Sequence, residues 1–249
     1  MNMEDNLSAK SRPRGIYLLP NLFTTAALFF GFYAIVAAMK GSIDVAAMAI
    51  FIAMILDGLD GRVARMTNTQ TSFGAEYDSL SDMVGFAIAP ALLVYSAYLQ
   101  TLGKIGWLVA FVFAASTALR LARFNTQAHD SDKRYFQGLP CPSAAAVVAG
   151  MTWCANYYEL SGLYIAIPAA VVTLLVAALM VSRVRYYSFK QIDFKGKVPF
   201  IMVVALVMII AGIAIDPPQI LFIVFLGFAC SGPAMTLWQL RKMRHRARK

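Results

Sequence analysis

The sequence has only two histidines and three cysteines, and charged residues make up just 14% of it. His129 and His245 are far apart and form no zinc motif. Cys141, Cys154 and Cys230 have neither metal-ligand spacing nor the pattern of a disulfide framework, so each is expected to be a small packing residue. No polar stretch is longer than the N-terminal tail, residues 1–16, which leaves no room for a separate soluble domain. No run alternates apolar and polar residues as membrane-barrel strands do.

Apolar sequence fills the space instead. Hydrophobic residues make up 59% of the chain, and its mean hydropathy is +0.64. Runs of about 20 apolar residues recur, long enough to cross a bilayer as helices. The expected fold is all-α: a polytopic membrane bundle with spans near 17–39, 43–65, 73–99, 105–126, 141–158, 162–182, 198–215 and 217–239. Gly and Pro punctuate the short loops between them, as in KGSID, TLGKIG, GLPCP and DPPQ. The first run, IYLLPNLFTTAALFFGFYAIVAAM, is too long for the core of a signal peptide and reads as a retained helix. The expected organisation is a tail (1–16), a membrane domain (17–240) and a basic tail (241–249).

Lysine and arginine set the orientation. Eight spans put both termini on one side. On that side fall Lys10, Arg12, Arg14, Arg62, Arg65, Arg120, Arg123, Lys133, Arg134, Arg183, Arg185, Lys190, Lys195, Lys197 and the basic tail, RKMRHRARK. Only Lys40 and Lys104 fall opposite. The crowded side is therefore expected to be cytoplasmic. The net charge of +9 reads as topology and attraction to anionic lipid, with no nucleic-acid partner.

Against this background residues 57–82, DGLDGRVARMTNTQTSFGAEYDSLSD, stand out. A carboxylate inside a bilayer costs a few kcal/mol or more, yet five occur here. Asp57 and Asp60 are spaced i, i+3; Asp78 and Asp82 are spaced i, i+4; each pair shares one helix face. The second span descends to the inner leaflet, the chain turns near TNTQTS, and the third span returns. All four Asp residues thus reach a similar depth. Four converging carboxylates repel one another unless cations hold them, and hard divalent ions with oxygen ligands suit that role. Two such ions side by side would suit displacement at phosphorus. Gly58, Gly61 and Gly74 disfavour helix in isolation but let backbones or a bulky ligand approach. An ion or proton transporter would need polar groups through the full thickness of the membrane, and no inverted repeat is visible.

Asp57-x2-Asp60-Gly61-x2-Ala64-Arg65-x8-Gly74-x3-Asp78-x3-Asp82 resembles the signature of the CDP-alcohol phosphotransferases at every position. Within that family the chain is most similar to the integral-membrane bacterial phosphatidylserine synthases. LPNLFTTAALFFGFYAI, FGAEYDSLSDMVGFAIAPA, LRLARFN and YFQGLPCPSAAA carry that likeness, which covers about 17–146. The resemblance implies transfer of a phosphatidyl group from CDP-diacylglycerol to L-serine, with release of CMP. It also implies two divalent ions, Mg²⁺ or Mn²⁺, held by Asp57, Asp60, Asp78 and Asp82, with Asp82 also the general base. It assigns Asn21, Gly61, Arg65, Thr71 and Gly74 to the donor, and a homodimer as the assembly. Other members use glycerol 3-phosphate, inositol phosphate, phosphatidylglycerol or choline-type acceptors, so the acceptor is set outside the signature.

Serine carries a carboxylate, so its pocket needs a cation. Arg120 and Arg123 sit at the depth of the Asp cluster on the fourth span, and at least one is expected to bind that carboxylate, with Asn125 nearby. Asp216 reads as a structural residue of an outer turn. Tyr157 and Tyr158 read as an outer interfacial anchor, and Tyr186 and Tyr187 as the inner one.

Overall fold

The computed structural model describes residues 18–67, 69–127, 135–187 and 200–246. The expected tail, residues 1–16, lies outside them, as do Lys133, Arg134, Lys190, Lys195 and Lys197 from the orientation argument. The architecture is helical. α1 (Leu18–Met39) and α2 (Ile43–Thr67) form an antiparallel pair. Gly41 turns the chain between them at φ +75°, a backbone conformation that glycine adopts without strain. The third expected span is a composite of α3 (Ser72–Asp82), a π-helical turn (Met83–Ile88) and α4 (Ala89–Ala97). A 3₁₀ turn, Leu99–Leu102, leads into α5 (Lys104–Gln127). There follow α6 (Cys141–Tyr157), α7 (Leu163–Val181), α8 (Phe200–Ile215) and α9 (Pro217–Arg246).

Among the described residues five stretches are long and apolar enough to cross a membrane: 19–39, 72–97, 104–126, 163–181 and 217–236. The other three depart from that pattern for different reasons. α2 carries Asp44, Asp57, Asp60, Arg62 and Arg65. α6 and α8 are short, at 17 and 16 residues. Large apolar side chains such as Phe29, Phe32, Trp107, Phe111 and Leu175 face outward. An exposed apolar surface of this kind suits lipid contact, and the protein is an integral membrane protein. Small residues fill the inside: Ala34, Ala37 and Ala38 of α1, Ala46, Ala47, Ala49 and Ala53 of α2, and Ala144, Ala145, Ala146 and Ala149 of α6 are buried. Where lipid tails are as apolar as the helices, close packing of small residues holds the helices together.

The π turn begins one residue after Asp82. It brings Gly85 against α1, where a Cβ on Gly31 would lie 2.8 Å from the Gly85 Cα. Turns of this kind are commonly found at functional sites. Another element absent from the sequence reading is a short antiparallel ribbon, β1 (Tyr135–Gln137) with β2 (Arg185–Tyr187), in which Phe136 pairs with Tyr186. Gly138 follows β1 at φ +79°, and a Cβ there would collide with the Met180 carbonyl at 2.2 Å.

Tyr186 corrects the interfacial-anchor expectation. It is 0% exposed, and its ring lies over Gly232 of α9, where a Cβ would meet it at 2.4 Å. Its hydroxyl donates to the Ala229 carbonyl at 2.9 Å. That carbonyl would bond the N–H of residue 233 in a regular helix, but Pro233 has none. Burial, and to a lesser degree the nearby Cys230, pushes the hydroxyl up to about 12, so it stays a donor. Asp216 plays the structural role expected of it, accepting the Ile220 N–H at 3.2 Å through its carbonyl at the start of α9.

Tyr186→Phe should therefore destabilise the protein by about 1–3 kcal/mol, the cost of an unsatisfied buried acceptor. Pro233→Ala in that background should restore part of the loss by returning an N–H to Ala229. Unfolding of wild type, Tyr186→Phe, Pro233→Ala and the double variant in detergent checks this, and equal losses from Tyr186→Phe with and without Pro233 would contradict it.

Candidate active site

Two helices bring the acidic residues together. Asp57 and Asp60 lie one turn apart on α2, and Asp78 faces them from α3. Single carboxylate oxygens of Asp57, Asp60 and Asp78 all lie within 4.8 Å of one another. Asp82, one turn further along α3, contacts the Asp57 carboxylate and feels the charges of Asp78 and Asp60. Converging hard oxygen donors on rigid helices fit a divalent cation and fit few neutral ligands. The cluster is thus compatible with divalent metal binding.

Asp60 is 5% exposed and its Oδ2 accepts a hydrogen bond from Thr24 Oγ1 at 2.7 Å. Thr24 is itself buried on α1, and Ser81 Oγ of α3 donates to its carbonyl at 3.2 Å. These two bonds tie α1 to both acidic helices and fix the Asp60 rotamer. Thr25 adds a parallel tie, its hydroxyl lying 2.9 Å from the Tyr77 hydroxyl.

A cavity of about 230 Å³ opens beside the cluster, and Asp60 and Asp78 form part of its wall. Asn21, Gly61, Arg65, Thr71 and Gly74, assigned to a donor by resemblance, all line it. Their local structure explains the shape. Thr71 is the N-cap of α3, with extended backbone, and its Oγ1 accepts from the Gly74 N–H at 3.0 Å. A Cβ on Gly74 would lie 3.1 Å from that Oγ1 and 3.4 Å from Asn21 Oδ1. The Arg65 guanidinium folds back over Gly61, its Nη1 3.5 Å from where a Cβ would be. The cavity wall therefore carries one cation, Arg65, and two acids, Asp60 and Asp78. Asp57 and Asp82 are not among its lining residues.

The three residues assigned to an acceptor lie elsewhere and have separate partners. Arg120 Nη1 donates to the Cys141 sulfur at 3.2 Å. Arg123 Nη2 donates to Gln137 Oε1 of β1. Asn125 Nδ2 donates to Ser79 Oγ at 3.0 Å, beside Asp78. Cys141 thus has a polar partner, where the sequence suggested packing alone. Thr24, Ser81, Ser79, Gln137 and Cys141 were all missed by the sequence reading. Only their side-chain partners single them out, and those partners are distant in sequence.

The family model of the CDP-alcohol phosphatidyltransferases matches residues 17–183. The chain belongs to that family. The match takes in the whole site and extends through α7. A CDP-diacylglycerol–serine O-phosphatidyltransferase of Helicobacter pylori is 41% identical over 189 residues, covering 76% of this chain and 79% of that protein. One from Mycobacterium tuberculosis is 37% identical over 150 residues, covering 56% of this chain and 52% of its own. An archaetidylserine synthase of Methanothermobacter thermautotrophicus is 34% identical over 170 residues, covering 68% and 69%.

A nucleotide bound in this cavity would meet any side chain added at Gly74. Gly74→Val should fill it against Thr71 and Asn21. Affinity for CMP, read by thermal shift or calorimetry, should fall at least about tenfold, the equivalent of 1.4 kcal/mol. Unchanged CMP binding would place the nucleotide elsewhere.

Proposed function

We propose that the protein transfers the phosphatidyl group of CDP-diacylglycerol to the hydroxyl of L-serine, giving phosphatidylserine and CMP. One observation carries the reading: Asp60 and Asp78 of the acidic cluster form the wall of a cavity that the five donor-assigned residues also line. The acceptor is chosen by similarity to relatives that are named for serine.

The roles follow from chemistry. Arg65 faces the donor's diphosphate, and Gly61 and Gly74 leave room for the nucleotide. Asp57, Asp60, Asp78 and Asp82 hold two divalent ions, Mg²⁺ or Mn²⁺, which when bound neutralise the diphosphate and the departing CMP. Asp82 takes the proton of the serine hydroxyl as its oxygen bonds to phosphorus and the bond to CMP breaks. Thr24 keeps Asp60 oriented. Arg120, Arg123 and Asn125 form the serine side, with at least one Arg on the carboxylate. All eight long helical stretches cross the bacterial inner membrane, with both termini and the site on the cytoplasmic side and a homodimer as the assembly. The diacyl tails then stay in lipid while serine and CMP exchange with the cytosol.

The test is assay of the purified protein with CDP-diacylglycerol and radiolabelled serine. Phosphatidylserine and CMP should form in equal amounts and stop with a chelator. Asp82→Asn should lower turnover by roughly 10²- to 10⁴-fold, the usual worth of a general base, with its circular dichroism unchanged. Labelling of glycerol 3-phosphate in preference to serine would overturn the acceptor, and activity in chelator would overturn the metal.

A further inference from the structure

The acidic cluster has two sides. Asp60 and Asp78 face the nucleotide cavity, while Asp57 and Asp82 do not line it. The Cys141 thiol, at the start of α6, lies within electrostatic reach of both Asp82 and Arg120 of α5. Cys141 is 1% exposed and occupies the first turn of α6, between Pro140 and Pro142, so its position is tightly fixed.

The two arginines expected to serve the acceptor differ here. Arg123 is turned to Gln137 of the ribbon. Arg120 spends Nη1 on the Cys141 sulfur, and its Nε is buried with no hydrogen-bond partner among the described residues. A guanidinium meets a carboxylate bidentately through two parallel N–H donors. Holding Nη1 leaves the Nε–Nη2 edge for that purpose. A buried Nε–H without an acceptor is an unmet donor, and a carboxylate seated against that edge would satisfy it.

We propose that Arg120, rather than Arg123, receives the carboxylate of the acceptor, and that Cys141 is its positioning residue. The sulfur fixes the guanidinium by one nitrogen and leaves the opposite edge for the acceptor. This rests on the reading above that the acceptor is serine. A thiol is a weak acceptor, so a hydroxyl at the same position should serve at least as well.

The experiment is steady-state kinetics of the full-length protein in mixed micelles, with L-serine and CDP-diacylglycerol varied separately. Cys141→Ala and the better-filling Cys141→Val should raise the KM for serine by about 3- to 10-fold, the worth of one hydrogen bond. Their kcat and donor KM should hold within about twofold. Cys141→Ser should keep the serine KM near wild type. Arg120→Lys should raise the serine KM at least about tenfold, the cost of losing a bidentate contact, and more than Arg123→Lys does. If Arg120→Lys raises it but neither Cys141→Ala nor Cys141→Val does, Cys141 has no positioning role and the acceptor reading stands. If both arginine variants leave the serine KM unchanged, the acceptor reading itself fails. Equal loss in Cys141→Ser and Cys141→Val, or a parallel rise in donor KM, would assign the thiol to packing and overturn the proposal.

Discussion

Mutual repulsion of carboxylates at the foot of a lipid-facing bundle is the constraint on which the rest of this structure depends. Oxygens of Asp57, Asp60 and Asp78 lie within 4.8 Å of one another, and Asp82 touches Asp57. Left bare, such a cluster would push α2 and α3 apart. Divalent charge would relieve the repulsion, and on the proposed reading the anionic diphosphate of a CDP-linked lipid would in turn balance the ions. The bundle is built to hold the acids in place until then. Thr24 reaches from α1 to Asp60, and Ser81 reaches back from α3 to Thr24, so the acidic helices are clamped through a third helix. Both bonds lie in a buried setting where hydrogen bonds are strongest and their loss is most costly.

The surrounding packing serves the same end. Buried alanines on α1, α2 and α6 let those helices approach closely, and Gly31 lets α1 meet the π turn that follows Asp82. On the far side, Tyr186 satisfies the carbonyl that Pro233 leaves without a donor and so pins β2 to α9. Because β2 pairs with β1, the same latch sets Gln137 and, a few residues on, Cys141, the partners of Arg123 and Arg120. The two cationic side chains are thus anchored to a different part of the bundle from the acids. Donor and acceptor sides of the reaction would then be positioned by separate sets of helices.

Much of this was legible in the sequence because it is local. Helix positions follow from apolar run length, and the described helices agree closely with the expected spans, except that α9 continues to Arg246. The spacing of Asp57, Asp60, Asp78 and Asp82 on two adjacent helices predicted their convergence, since i, i+3 and i, i+4 pairs share a face. Three things were not legible. The π turn depends on how α1 packs against Gly85, which no periodicity records. The ribbon is two three-residue pieces from loops far apart in sequence. The partners of Thr24, Arg120 and Tyr186 are all set by long-range packing, so an aromatic near a basic loop read as an interfacial anchor when it is a buried hydrogen-bond donor.

Binding of Mn²⁺ to the purified protein, followed by electron paramagnetic resonance in the presence of CMP, tests the central claim most directly. The account predicts two ions per chain at saturation, with spin–spin broadening from their proximity. Asp60→Asn and Asp78→Asn should each lower the affinity or the number bound. Full Mn²⁺ binding in both variants, or no binding by the wild-type protein, would contradict the claim that the four carboxylates form the metal site.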